Sequence, residues 1–145
     1  SQGNLNEAIR ALEKAVELSP YRFENYVCLA RLYIETGNIG KARELIEKLS
    51  NISGIETPDP FLYARLRRYH EALAHCYEMI GDLKKALEHF NRVENIIRTR
   101  IQEYSKDSPY YHMLEEWLTI VKKIEELSQK AKLEESQKSQ TTRHA

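Results

Sequence analysis

Histidine and cysteine are the residues of this chain whose chemistry most often builds a metal site. His70 and His75 are five residues apart, whereas helical zinc sites use histidines four apart on one face. His75 and Cys76 are adjacent in sequence and therefore point in different directions on a helix, and His89 has no histidine or cysteine at ligand spacing. We therefore expect no metal site and no cofactor, and interpret His70 as a partly buried core imidazole.

Residue patterns that support nucleophilic or acid–base catalysis are also missing from the sequence. It contains no Gly-x-Ser-x-Gly motif, no recognisable cysteine–histidine context and no phosphate-binding loop. Glutamate pairs such as Glu115-Glu116 lie near lysines on expected helix faces, which is typical of a solvated surface. Cys28 and Cys76 form no Cys-x-x-Cys motif, and we interpret both as buried free thiols. We expect no enzyme activity.

The strongest local charge asymmetry is a set of arginines in the middle of the chain. Residues 60–106 hold nine Lys or Arg against six Asp or Glu. The arginines of this basic patch are Arg65, Arg67, Arg68, Arg92, Arg98 and Arg100. In the whole chain 22 basic residues balance 22 acidic ones, so no general attraction to nucleic acid is expected. A solvated face is the favoured interpretation, and RNA binding through this patch is the distant alternative.

The positions of these residues depend on the elements that carry them, and a repeated phrase defines those elements. It reads Gly3-Asn4-Leu5-x-x-Ala8, then Gly37-Asn38-Ile39-x-x-Ala42, then Gly81-Asp82-Leu83-x-x-Ala86. The first two glycines are 34 residues apart and the second and third are 44 apart. We predict that Gly37 and Gly81 end a helix at positive φ, and that Asn4, Asn38 and Asp82 cap the next helix.

Compared position by position, these repeats resemble the tetratricopeptide repeat, whose period is 34 residues with two helices per repeat. The first repeat has only its second helix, with Gly3, Ala8, Leu12, Ala15 and Pro20 in place. In the second, Tyr26 replaces the Trp of the family pattern, and the matching residues are Leu29, Ala30, Tyr33, Gly37, Ala42 and Ile46. In the third, His70 replaces the Trp, and the matching residues are Leu73, Ala74, Tyr77, Gly81, Ala86 and Phe90. The resemblance covers residues 3–97 and implies an all-α superhelix of antiparallel helical hairpins, a solenoid.

Two departures from the repeat shape the expected domain organisation. Turn-forming residues from Asn51 to Pro60 interrupt the period, and Asp59 should cap a helix that starts at Pro60. Both helices of the third hairpin are expected to be about two turns longer than standard. An apolar stripe after Ser108-Pro109 predicts a terminal capping helix. We therefore expect a repeat domain over residues 1–132 and a polar, disordered tail over 133–145. Within the domain lie a partial repeat (3–20), a repeat (23–54), an extended repeat (59–105) and the capping helix (109–132).

No apolar stretch approaches the ~18 residues of a membrane span, and no signal peptide is apparent. We expect a soluble, cytoplasmic protein. Because the chain opens inside a repeat without an initiator Met, we interpret it as a piece of a longer protein.

The resemblance implies a non-catalytic module that binds a partner peptide or helix in its concave groove. Carried onto this chain, the groove residues are Glu24, Val27, Arg31, Ile34, Arg68, Glu71, His75 and Glu78. The Lys and Asn with which some relatives clamp a peptide carboxylate are replaced by Val27, Arg31, Arg68 and Ala72. The alternative is an assembly scaffold that forms a homo-oligomer through its ends, with Ile9, Leu12 and Val16 as the self-association face.

Overall fold

The computed structural model describes residues 2–53, 55, 63–104 and 111–144. All the regular structure in this part of the chain is α-helical, which confirms the predicted fold class. The six helices are α1 (Gln2–Leu18), α2 (Phe23–Glu35), α3 (Ile39–Ser50), α4 (Tyr63–Met79), α5 (Leu83–Tyr104) and α6 (Tyr111–His144). The predicted Asp59 cap with its Pro60 helix start, and the Ser108-Pro109 start of the capping helix, lie outside the described residues.

Glycine closes the turn of each complete hairpin as predicted. Gly37 has φ 80° and Gly81 has φ 84°, a region that residues with a Cβ rarely enter. In the first turn the Gly37 amide donates to the Ile34 carbonyl and the Asn38 amide to the Tyr33 carbonyl. The same pair of hydrogen bonds recurs at Gly81, so both helices end in the Schellman motif.

The predicted capping residues are confirmed only in part. Asp82 Oδ1 accepts a hydrogen bond from the Lys85 amide, as an N-cap carboxylate should. Asn38 stands at the N-cap position, but its side chain makes no capping bond. Its side-chain amide donates to the Thr36 hydroxyl instead. Asn4 is not a cap, because α1 already begins at Gln2 and encloses both Gly3 and Asn4.

The core follows the repeat positions. α2 packs against α1, α3 and α4, and α4 packs against α5. Ala30, Ala42, Ala74 and Ala86 are fully buried, which allows these helices to approach closely. Tyrosines bind the ends of neighbouring elements: the Tyr26 hydroxyl donates to the Pro20 carbonyl and the Tyr69 hydroxyl to the Leu49 carbonyl.

The face of α1 that we expected to mediate self-association is used inside the chain instead. Ile9 and Val16 are buried in the core and Leu12 packs against it. The Tyr33 hydroxyl donates to Glu13 at 2.7 Å on the same side of α1. The prediction was wrong because it omitted α2, which covers this face.

The third hairpin is extended, as predicted. α5 has 22 residues whereas α3 has 12, and its apolar face remains buried at Val93 and Ile97. At 1.5 Å per residue, α5 is about 30 Å long.

The last helix packs along α5, which fits the predicted capping role. Leu127 is 3% exposed, and Ile120, Ile124 and Ala131 pack against the same core. Trp117 Nε1 donates to Glu94 of α5 at 3.1 Å. α2 and α4 pack directly against each other. Among the described residues, the Cα atoms of α6 stay more than 8 Å from those of α4.

The predicted disordered tail is part of this helix, because α6 continues to His144. The segment after residue 109 contains neither glycine nor proline and is rich in residues of high helix propensity. Side chains 132–140 are exposed, so no packing supports these turns. The domain boundaries given above remain predictions.

Candidate functional site

A small hollow between α2 and α4 brings together five of the eight predicted groove residues. Its volume is about 220 Å³. It is lined by Glu24, Val27, Cys28, Arg68, Glu71, Ala72 and His75. Each helix contributes positions at the spacing i, i+3, i+4 because these face the same side. We call this surface the small hollow.

The other three predicted residues have different surroundings. Arg31 is exposed on α2, one turn beyond the lining residue Val27, and its charge acts on both His75 and Cys76. Ile34 is half-buried and packs against the core. Glu78 forms an ion pair with Lys123 of α6, with Oε2 and Nζ 2.7 Å apart.

Cys28 is a lining residue that the sequence analysis did not place in the groove, and Ala72, named there only as a replaced clamp position, lines the small hollow too. They occupy equivalent places, each four residues after a predicted groove residue, Glu24 or Arg68. Helical periodicity was therefore the available signal. Cys28 is exposed rather than buried as we expected, whereas Cys76 is buried, and both are free thiols.

A second and larger space opens beside the small hollow, between α4, α5 and α6. Its volume is about 500 Å³. It is lined by Tyr63, Ala64, Arg67, Arg68, Glu71, Ile96, Ile97, Arg100, Met113 and Glu116. We call it the large cleft, and we call the two spaces together the groove. The sequence analysis did not assign α6 to this surface.

Ion pairs neutralise most of the charge at the boundary between α4 and α6. Arg67 contacts Glu71 at 3.1 Å and Glu116 at 2.9 Å. The Glu78–Lys123 pair spans the same boundary farther along α4. Glu24, Arg31 and Arg68 make no ion pair within the described part of the chain.

His75 is the imidazole that lines the small hollow. Burial lowers the pKa of His75 below its usual value, and the charges of Glu78 and Glu71 oppose this effect. A neutral imidazole can donate through one nitrogen and accept through the other. Its place beside Val27 and Ala72 gives the hollow one polar group that can adapt to a ligand.

His70 and His89 pair on a different side of α4. His70 is 3% exposed, and its Nδ1 lies 2.9 Å from the Nδ1 of His89. His89 also stacks on Tyr77 with ring centroids 5.6 Å apart. The prediction of a buried core His70 is confirmed, whereas its contact with His89 was not predicted. No three His, Cys, Asp or Glu side chains in the described ranges are grouped to hold a metal ion.

The arginines of the basic patch do not form one positive surface. Arg65 stacks over Tyr21 at 4.0 Å, and Arg98 pairs with Glu94 at 3.0 Å. Arg100 lies over Tyr63 in the large cleft, while Arg92 reaches His70 on another side of α4. This dispersal removes the main reason for considering RNA as a ligand.

Comparison with known proteins agrees with the helical hairpins. Residues 1–53, which include α1, α2 and α3, match the family model of the tetratricopeptide repeat. This match supports the assignment of residues 1–53 to the tetratricopeptide repeat family. A curated relative, the TPR repeat-containing protein MJ0940 of Methanocaldococcus jannaschii, is 33% identical over 92 residues, 63% of this chain. The chain spans 25% of the length of that relative. No solved structure matches the chain.

Tetratricopeptide repeats are generally protein–protein interaction modules and are typically non-catalytic. None of the helices in the described ranges has the length and apolar character needed to cross a membrane.

Proposed function

We propose that this chain is a non-catalytic binding module that holds a segment of a partner protein in the groove. The observation that best supports this proposal is the small hollow, where two equivalent helices present apolar and polar side chains at matching positions. An apolar floor with a few polar groups around it is the common composition of a binding site.

Preorganisation supports this proposal. The lining residues of the small hollow lie on two helices that pack directly against each other, so their positions are set before a ligand arrives. A rigid surface loses less conformational entropy on binding than a loop does. Arg31, Arg68 and Glu24, which make no ion pair with any residue that the structure describes, supply polar contacts at its edge.

The proposal is tested by capturing proteins from a cell extract on two charge-reversed variants. Arg31→Glu/Arg68→Glu alters the groove, while Arg43→Glu/Lys84→Glu makes the same net change on exposed positions outside both spaces. We expect a protein that the wild type and the control retain and the groove variant loses. If the wild type, the control variant and the groove variant capture the same proteins, groove binding is contradicted.

A second candidate, assembly through the N-terminal end, is favoured by one observation. Leu18 is 73% exposed and Leu5 is also exposed on α1, although Ile9, Leu12 and Val16 are covered. Sedimentation over a range of concentrations separates this candidate from groove binding. Oligomers that disappear in Leu18→Glu would support assembly, and a monomer at every concentration would exclude it.

A further inference from the structure

The small hollow and the large cleft share one wall. Arg68 and Glu71 of α4 line both spaces. α4 therefore forms a ridge with a space on either side. A helix with its side chains is about 10 Å across, so the two spaces are separated by roughly this distance.

Both spaces have apolar surfaces that suit aliphatic or aromatic side chains. The small hollow presents Val27 and Ala72 beside the Cys28 thiol. In the large cleft the apolar residues come from three helices: Tyr63, Ala64, Ile96, Ile97 and Met113. The difference in volume, about 220 Å³ against about 500 Å³, favours a smaller side chain in the first space and a larger one in the second.

The two charged residues of the ridge differ in their ion pairs. Glu71 shares the guanidinium of Arg67 with Glu116. Arg68 is exposed and makes no ion pair with the described residues. A guanidinium at such a position binds a carboxylate through two parallel hydrogen bonds when one is supplied.

We propose that the ligand of the groove is an acidic peptide segment with two apolar anchor residues. One anchor enters the small hollow, the other enters the large cleft, and an aspartate or glutamate between them pairs with Arg68. An extended chain advances about 3.3 Å per residue and its alternate side chains face the same side, so anchors four positions apart, with the acidic residue midway, span the ridge. This inference rests on the proposed function and specifies the partner's chemistry.

Peptide display tests the pattern without knowledge of the natural partner. The full chain is immobilised and a library of random short peptides is selected on the wild type, on Arg68→Glu and on Arg43→Glu. Arg43 is an exposed arginine of α3 that lines neither space, so it matches the charge change. Circular dichroism melting of each variant establishes that it is folded.

We expect the wild type and Arg43→Glu to enrich peptides with an acidic residue between two apolar ones. Arg68→Glu should enrich basic residues at the central place and bind the acidic peptides about tenfold or more weakly, as a charged contact replaced by repulsion predicts. Ala64→Phe changes an exposed residue of the large cleft. It should weaken the same peptides by occupying their larger anchor site.

Two results would overturn the inference and can be told apart. Peptides that Ala64→Phe weakens but that show no acidic preference, or bind Arg68→Glu equally well, would refute the acidic pattern and leave groove binding intact. Peptides that neither groove variant weakens, or no enrichment at all, would refute the inference and count against the proposed function too.

Discussion

Glycine occurs in two different backbone environments in this chain, and the same substitution should have opposite effects in them. Gly81 sits at φ 84° in the turn of the third hairpin, whereas Gly40 lies inside α3. A Cβ at either place would meet no atom within 4 Å, so backbone conformation alone determines the result.

Gly81→Ala should destabilise the protein by about 1–2 kcal/mol, the cost of a left-handed conformation for an L-residue. Gly40→Ala should stabilise it by about 0.5–1 kcal/mol, because alanine loses less backbone entropy in a helix. Urea unfolding of the two variants measures both values. Equal effects from the two substitutions would show that the turn at Gly81 is misplaced.

The His70–His89 pair makes stability depend on pH. Both atoms of the 2.9 Å contact are Nδ1, so one ring donates and the other accepts, which requires a neutral imidazole. Burial lowers the pKa of His89, and the nearby Arg92 lowers it further.

A folded pKa below the unfolded value of about 6.5 means that the unfolded chain binds more protons as pH falls. The stability that His89 contributes is therefore present above about pH 6.5 and is lost on acidification. His89→Gln should make the free energy of unfolding less steep between about pH 7 and pH 5 than in the wild type. An unchanged slope would show that His89 does not contribute to the pH dependence of stability. The pKa of His75 is also lowered by burial, so His75 adds to the slope in both proteins.

The conformation of a residue could be predicted from the sequence where it depends only on neighbouring residues. The left-handed conformation at Gly37 and Gly81 follows from their place after a helix and before a capping residue. The contacts that the sequence analysis missed join distant positions: His70 with His89, and Arg67 with Glu116 across 49 residues. Nothing local encodes such pairs, because they depend on how whole helices pack.

At the scale of elements, α6 tests how a solenoid covers its last apolar surface. Leu127 is 3% exposed where α6 meets the core, while Leu133 on the same helix is 63% exposed. Leu127→Ala should cost about 2–4 kcal/mol, since it leaves a cavity, and Leu133→Ala should change stability by less than about 0.5 kcal/mol. Chemical denaturation measures both. Similar values for the two leucines would mean that α6 does not dock on α5.

The start and the length of elements were harder to predict than their existence. Asn4 has the residue type and spacing of a cap, but it lies inside α1 because the helix begins at Gln2. The polar composition after residue 132 indicated disorder, yet helix propensity without glycine or proline continues α6 to His144. In both places the residue types predicted the end of a helix less well than the lack of any residue that interrupts it, so the helix extends beyond the predicted boundary.

At the scale of the whole molecule, the groove is a product of stacking. α2 and α4 present equivalent positions because they are the same helix of successive repeats, so the repeat pattern was sufficient to predict most of the small hollow. The large cleft was not predictable in this way. It exists because α6 packs on α5 and only long side chains bridge it to α4, a departure that no repeat position encodes.

The thiol of Cys28 offers the most direct test of the groove as the binding surface. Cys28 is exposed in the small hollow, whereas Cys76 is buried and burial raises its pKa to about 12. A thiol reagent should therefore modify one cysteine rapidly in the folded protein and the second only on unfolding. The measurement is the rate of this first reaction with and without a saturating amount of a peptide or protein that the chain binds. We expect the ligand to slow modification of Cys28 strongly; a rate unchanged at saturation would contradict binding in the groove.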